Sequence, residues 1–278
     1  MDIAYNVPKT ELHLHLDGSL DSEFIASRAA DRGIRLPVES SNLRKYLHDL
    51  KSKRANIGSK VSTSSNWSNF DFCNQFLQTD DELKRATFSL CKTLSDDNVV
   101  LSEIRFCPTL HTFENLTVND AVDAVVAGFR EAREALNIRG GVIVCALRSY
   151  PVEHTIEMAE LAAAWLGKGV VGFDIAGDEG AFALDIHESG IKEALRRNVP
   201  MTLHAGEWPE NTVKNINLAV DLGADRIGHG VTLCQDAKLM DLVATKGITV
   251  ECCLTSNVGW KVPSYASHPI RKLSLIHI

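Results

Sequence analysis

Pro200-Met201-Thr202-Leu203-His204-Ala205-Gly206-Glu207 and Arg226-Ile227-Gly228-His229-Gly230, with a helical stretch from about Asn211 to Gly223 between them, decide the fold class of this chain. Each segment is a short apolar run that ends in titratable residues. Strands buried on both faces read as near-continuous apolar runs, and a helical crossover joins such strands in parallel. The same rhythm spreads outward. Strand candidates fall at Ser102–Pro108, Gly141–Leu147, Val170–Ala176, Pro200–His204, Arg226–Gly228 and Ile248–Leu254. Helical signals fill the gaps. Thr117 and Asp120 can form a capping box ahead of Val122, Val125, Val126 and Phe129. Thr155 can cap a helix burying Ile156, Ala159, Leu161 and Trp165, and a further helix stops at Gly247. Repeated βα units of this pitch make a parallel α/β protein, and periodicity alone fits a barrel or an open doubly wound sheet.

The N-terminal part reads differently. A helix is expected over Ser22–Arg32, ended by Gly33, then a polar loop or insertion over Ser52–Asn69, then a helical stretch from Phe70 to about Leu94. No second domain is expected. The 278 residues are 45% hydrophobic and 23% charged, enough for one large core. A net charge of −7 argues against a nucleic-acid surface, and Lys51, Lys53, Arg54 and Lys60 read as a solvated loop. No apolar run reaches the roughly 20 residues of a membrane span. Met1–Asn6 lacks the basic and apolar regions of a secretory signal. The seven cysteines form no Cys-x-x-Cys pair, and Cys107, Cys145, Cys252 and Cys253 are expected as buried thiols in a reducing cytoplasm.

The chemistry collects at strand ends. In Glu11-Leu12-His13-Leu14-His15-Leu16-Asp17-Gly18 polar and apolar residues alternate, so His13, His15 and Asp17 are expected on one face of a first strand. His204 offers a third imidazole, enough with His13 and His15 for a zinc platform. Zinc with an open position lowers the pKa of its water to about 7, which yields a nucleophile at neutral pH. Glu207 lies three residues beyond His204, placed to trade protons with a substrate, and His229 faces the same mouth. Parallel barrels put their sites at these C-terminal strand ends. Asp178 and Glu179 read equally as helix-capping loop carboxylates or as substrate contacts, and Trp208 as a pocket wall or a rim residue. His48, His111, His154, His187, His268 and His277 belong to no constellation and default to surface or packing roles.

With Lys9–Leu20 (KTELHLHLDGSL), Glu103–Pro108 (EIRFCP), Phe173–Glu179 (FDIAGDE), His204–Glu207 (HAGE), Arg226–Gly230 (RIGHG) and Cys253–Asn257 (CLTSN), the chain resembles the adenosine deaminase family of metal-dependent hydrolases. The resemblance runs from about Pro8 to Arg271. It implies a (β/α)8 TIM barrel and zinc-dependent hydrolytic deamination of adenosine or 2′-deoxyadenosine. By this resemblance His13, His15 and His204 are zinc ligands, and Glu207 and His229 are catalytic. Glu207 protonates purine N1, while His229 steers the attacking hydroxide. His15, Asp17 and the Gly177 backbone N–H contact substrate, Asp17 at the ribose 5′-hydroxyl and Gly177 at purine N3. The partner implied is a small purine nucleoside, with no nucleic acid and no membrane, and a monomer is expected.

The resemblance also implies an eighth strand ending in paired aspartates, one a zinc ligand. No Asp follows Asp241 here. Strand 8 and the helices after it are therefore expected to be missing, leaving a single incomplete barrel domain over 1–272 with weak or no activity. Leu273–Ile278, which a common sequencing-adapter end can encode, reads as a non-native tail. Two other functions stand beside the first: deamination of adenine or an N6-substituted adenine nucleotide, and non-catalytic nucleoside binding or protein interaction.

Overall fold

The computed structural model of the chain describes residues 6–53, 68–208, 212–258 and 261–274. Among them are seven strands: β1 (Lys9–His15), β2 (Val99–Phe106), β3 (Arg139–Leu147), β4 (Val170–Ala176), β5 (Thr202–Ala205), β6 (Arg226–His229) and β7 (Thr249–Glu251). The strand order is β1-β2-β3-β4 in one sheet and β5-β6-β7 in the other. The β1–β2, β5–β6 and β6–β7 pairs are parallel. A parallel bridge from Phe173 to Met201 carries the order from β4 toward β5. Strands adjacent in sequence are thus neighbours in space, with helices in the connections, as the alternating pattern predicts. No described helix is long and apolar enough to cross a membrane.

Two compact units divide the chain. The first holds the described residues up to 143 together with 167–171. Its helix Ser22–Arg32 has the predicted bounds, with the Asp21 side chain capping Phe24 N–H at the start. That helix contributes Ile25 and Ala29 to an apolar cluster with Leu43, Leu47, Cys73 and Phe76. The helix expected from Phe70 to about Leu94 is instead two helices, Ser68–Asn74 and Asp80–Asp96. Thr79 and Glu82 form a capping box that opens the second. Glu82 also accepts from Gln78 N–H and pairs with Arg32, so the break is held by a buried carboxylate. The Ser52–Asn69 insertion lies for the most part outside the described residues. The Thr117–Asp120 capping box does open the helix Val118–Ala135.

The second unit holds residues 144–166 and the described residues from 172 to 274. Two boundaries shift from expectation. The helix Val152–Trp165 starts directly after Pro151, so Thr155 lies inside it rather than at its cap. Proline presets the backbone for entry into a helix, and the buried Thr155 hydroxyl bonds His187 Nδ1 at 2.8 Å. β7 stops at Glu251, and the chain enters a short helix, Leu254–Asn257. Cys252 and Cys253 are consequently half-buried, whereas Cys107 and Cys145 are buried as expected. His111, His154, His187 and His268 are buried and His48 is exposed, and His187 and His268 are hydrogen-bonded to side chains rather than merely packed.

Candidate active site

In the first unit, β1 does not run to Asp17. It ends at His15, and Leu16–Gly18 form a 3-10 turn. Asp17 therefore leaves the face it was expected to share with the histidines. It is 3% exposed, and its Oδ1 has no hydrogen-bond partner among the described residues. Burial pushes its pKa up to about 7, against the pull of its own and Gly18's backbone N–H. The histidines stay together: their ring centroids lie 5.6 Å apart. An irregularity in β1 fixes their setting, because Glu11 pairs with Ser102 and Leu14 with Ile104. One extra residue is accommodated on β1, as in a bulge. Its polar groups are satisfied locally. His13 N–H donates to Glu11 Oε1 at 3.0 Å, and the fully buried Arg105 donates through Nη2 to the Leu12 carbonyl. His15 meets Phe70 edge-on at 6.0 Å.

The second unit gathers the rest. His204 in β5 is 4% exposed, and its Nδ1 lies 2.8 Å from Asp174 Oδ2. Asp174, fully buried, also accepts from His204 N–H at 3.2 Å and Ile175 N–H at 2.7 Å. The Nδ1 proton thus points at Asp174, which makes Nε2 the acceptor nitrogen of the ring. Arg148, 1% exposed, donates to the His204 carbonyl and, at 3.2 Å, to Phe182 O. Burial lowers the Arg148 pKa, and the charges of Glu179, Asp174 and Glu207 oppose that shift.

His229 closes β6 with φ +68°, left-handed backbone that costs a non-glycine residue on the order of 1 kcal/mol. Its side chain is tied down. Asn257 Nδ2 donates to His229 Nδ1 at 3.1 Å, and His268 Nε2 donates to Asn257 Oδ1 at 3.2 Å. An asparagine amide can only donate at nitrogen, so this chain leaves the His229 proton on Nε2. That atom lies 3.7 Å from Glu207 Oε1. Glu207 also pairs with Lys261 at 3.0 Å, and the Lys261 ammonium sits 3.8 Å from the centre of the Trp208 ring. Burial disfavours the Glu207 carboxylate, but His229, whose Nε2 proton faces it, and the Lys261 ammonium outweigh it and hold the group well below the usual carboxylate range. Gly177 follows β4 with φ +115°, a conformation suited to glycine.

Several of these residues carried no role in the sequence. Asp174 and Asn257 lie inside the FDIAGDE and CLTSN runs with no role of their own, and Arg148 and Lys261 belong to no motif. The signal for Asp174 was its place one strand before a candidate ligand histidine. Asp178 and Glu179 prove distinct: Asp178 Oδ1 accepts from Ala181 N–H at 2.9 Å, a local loop contact. Glu179 instead binds residues 27 to 29 positions away.

Residues 8–277 match the adenosine deaminase family. Adenosine deaminase of Clostridium kluyveri is 37% identical over 269 residues, 96% of this chain and 75% of that protein. The N6-mAMP deaminase of Arabidopsis superposes with a TM-score of 0.81 at 24% identity, covering 99% of this chain and 80% of that one. A zinc-bound amidohydrolase from Burkholderia ambifaria superposes with a TM-score of 0.82 at 22% identity, covering 98% of this chain and 73% of that one. These likenesses show the (β/α)8 fold. Fold and sequence together define a metal-dependent hydrolase that acts on C–N bonds of cyclic amidines. The chain belongs to the adenosine deaminase family.

Proposed function

We propose that the chain is built to deaminate adenosine or 2′-deoxyadenosine, with His13, His15 and His204 as zinc ligands. The donor set suits the metal. Two imidazoles leave one strand, and the third has its Nδ1 committed to Asp174, the carboxylate–histidine arrangement that fixes a ligand's tautomer. Zinc supplies a Lewis acid that makes a water nucleophilic near neutral pH.

The chain's own residues supply the remainder. Glu207 handles the proton at purine N1, and protonation there drains electron density from C6 and opens an aromatic ring to attack. His229, its Nε2 proton set by Asn257, orients the attacking water and stabilises developing charge. Asp17 accepts from the ribose 5′-hydroxyl through Oδ1, and His15 borders the sugar. The Gly177 N–H meets purine N3. The observation that carries this reading is the Glu207–His229 pair, a carboxylate able to relay a proton and an imidazole 3.7 Å apart, each with a fixed partner of its own. The substrate is taken as a free nucleoside rather than a nucleic acid, by a monomer. All seven cysteines are free thiols, which suits the cytoplasm.

A second reading is deamination of adenine or an N6-substituted adenine nucleotide, favoured by the likeness to the N6-mAMP deaminase. A spectrophotometric panel of adenosine, adenine and N6-methyl-AMP separates them. Highest kcat/KM on adenosine is expected. Preference for N6-methyl-AMP would overturn the nucleoside reading.

A further inference from the structure

We infer that Glu179 is the positioning residue for Glu207: it holds the backbone from Gly206 to Trp208 and so aims the proposed acid at its target. This rests on the role proposed for Glu207. The Glu179 side chain is 4% exposed, and both of its oxygens are engaged. Oε1 accepts from Gly206 N–H at 2.8 Å and from Asn215 Nδ2 at 2.9 Å. Oε2 accepts from Glu207 N–H at 2.8 Å and Trp208 N–H at 3.2 Å.

A carboxylate offers about four acceptor sites. All four are taken by donors of the protein, so Glu179 keeps no lone pair for a substrate. That removes one of the two readings its sequence position allowed. The other, capping of a following helix, fails as well, because three of the donors are successive backbone amides of a loop.

Three consecutive N–H groups converging on one anion form a concave nest. Gly206 makes it feasible with φ +72°, and a Cβ at that position would lie 2.4 Å from Ile216 Cδ1. The carboxylate filling this nest belongs to the protein itself, and its use is to fix where the Glu207 side chain begins. From there Glu207 reaches Lys261 at 3.0 Å and His229 at 3.7 Å. Reacting groups tolerate little error: a misplacement of about 1 Å can cost about 100-fold in rate.

The test combines amide hydrogen exchange by NMR with steady-state kinetics on adenosine, using the 278-residue chain. In the unaltered protein the amides of Gly206, Glu207 and Trp208 are expected to be protected about 100-fold or more over unstructured rates. Glu179→Gln replaces one carboxylate oxygen by an NH2 group, so two of the four donors lose their acceptor. Either the Gly206 amide or the Glu207 and Trp208 amides are then expected to lose at least about tenfold protection, and kcat to fall about 100-fold with KM within about threefold of the original.

Asn215→Ala removes one donor and leaves the nest, so kcat is expected to fall by less than about fivefold. Unchanged protection in Glu179→Gln, or a rise in KM at constant kcat, overturns the inference. Should Glu179→Gln fail to fold, unprotected amides in the unaltered protein overturn it and protected ones support it. The exchange data decide what Glu179 holds even where turnover is weak, and absence of purine deamination bears on the proposed function alone.

Discussion

Two buried aspartates, Asp17 after β1 and Asp174 in β4, face opposite circumstances. Asp174 accepts from the His204 ring, the His204 N–H and the Ile175 N–H, so its charge is fully spent inside the protein. Asp17 has an oxygen without a partner among the described residues, and burial lifts its pKa to about 7. A buried carboxylate whose partners are all internal positions the protein. One with an oxygen unmatched among the described residues carries a cost of about 1–3 kcal/mol that a donor could relieve. The contrast extends to the histidines. His204 and His229 each have a tautomer fixed by a named neighbour, and the strand that carries His13 and His15 is irregular and braced by Arg105.

The contrast can be broken most severely at Asp174. Asp174→Asn keeps the shape but loses the charge that orients His204. Zinc affinity, titrated against a chromophoric chelator, and adenosine turnover are both expected to fall about 10- to 100-fold. Unchanged values would mean that the Asp174 charge does not set the His204 ring.

At Asp17 the effect should be smaller and confined to substrate. Asp17→Asn is expected to lower kcat/KM for adenosine about tenfold, the loss of one charged hydrogen bond. Turnover of 5′-deoxyadenosine, which lacks the donor, should not change. An equal loss on both nucleosides would show that Asp17 supports the fold instead.

The smallest effect concerns stability and sharpens the picture of the first unit. His111 is fully buried, its Nδ1 bonded to Leu77 O at 2.9 Å, and burial lowers its pKa from 6.5 to about 4. The fold favours the neutral ring. Its contribution is therefore complete above pH 6.5 and lost as pH falls toward 4. Between pH 7 and 5.5 the loss is about 1 kcal/mol. His111→Asn keeps a donor toward Leu77 O and removes the titration, so its denaturant midpoint should be flatter over that range. A parallel decline in both proteins would assign the acid sensitivity elsewhere.

Much of the architecture was legible in order and type. Strand β4 and the helix Ser22–Arg32 have the predicted bounds because their signals are local: a continuous apolar run, and an amphipathic stretch closed by glycine. The failures are also local in origin. Thr155 resembles a cap in sequence, but Pro151 had already started the helix. The run to Leu254 reads as one strand, yet the chain turns after Glu251. At the candidate site the histidines and Glu207 announced themselves by residue type and spacing. Glu179 could not, because its donors lie 27 to 36 residues away.

Sequence by itself determined the βα alternation, the residues able to bind a metal or move a proton, and the family to which they point. Those depend on side-chain chemistry and short-range period. Only the tertiary structure decided where each buried carboxylate finds its protons, making Asp174 an internal brace and Glu179 the anchor of a loop, and leaving Asp17 with an oxygen unmatched among the described residues. A buried carboxylate is defined by where its lone pairs find protons, and those protons come from distant parts of the chain.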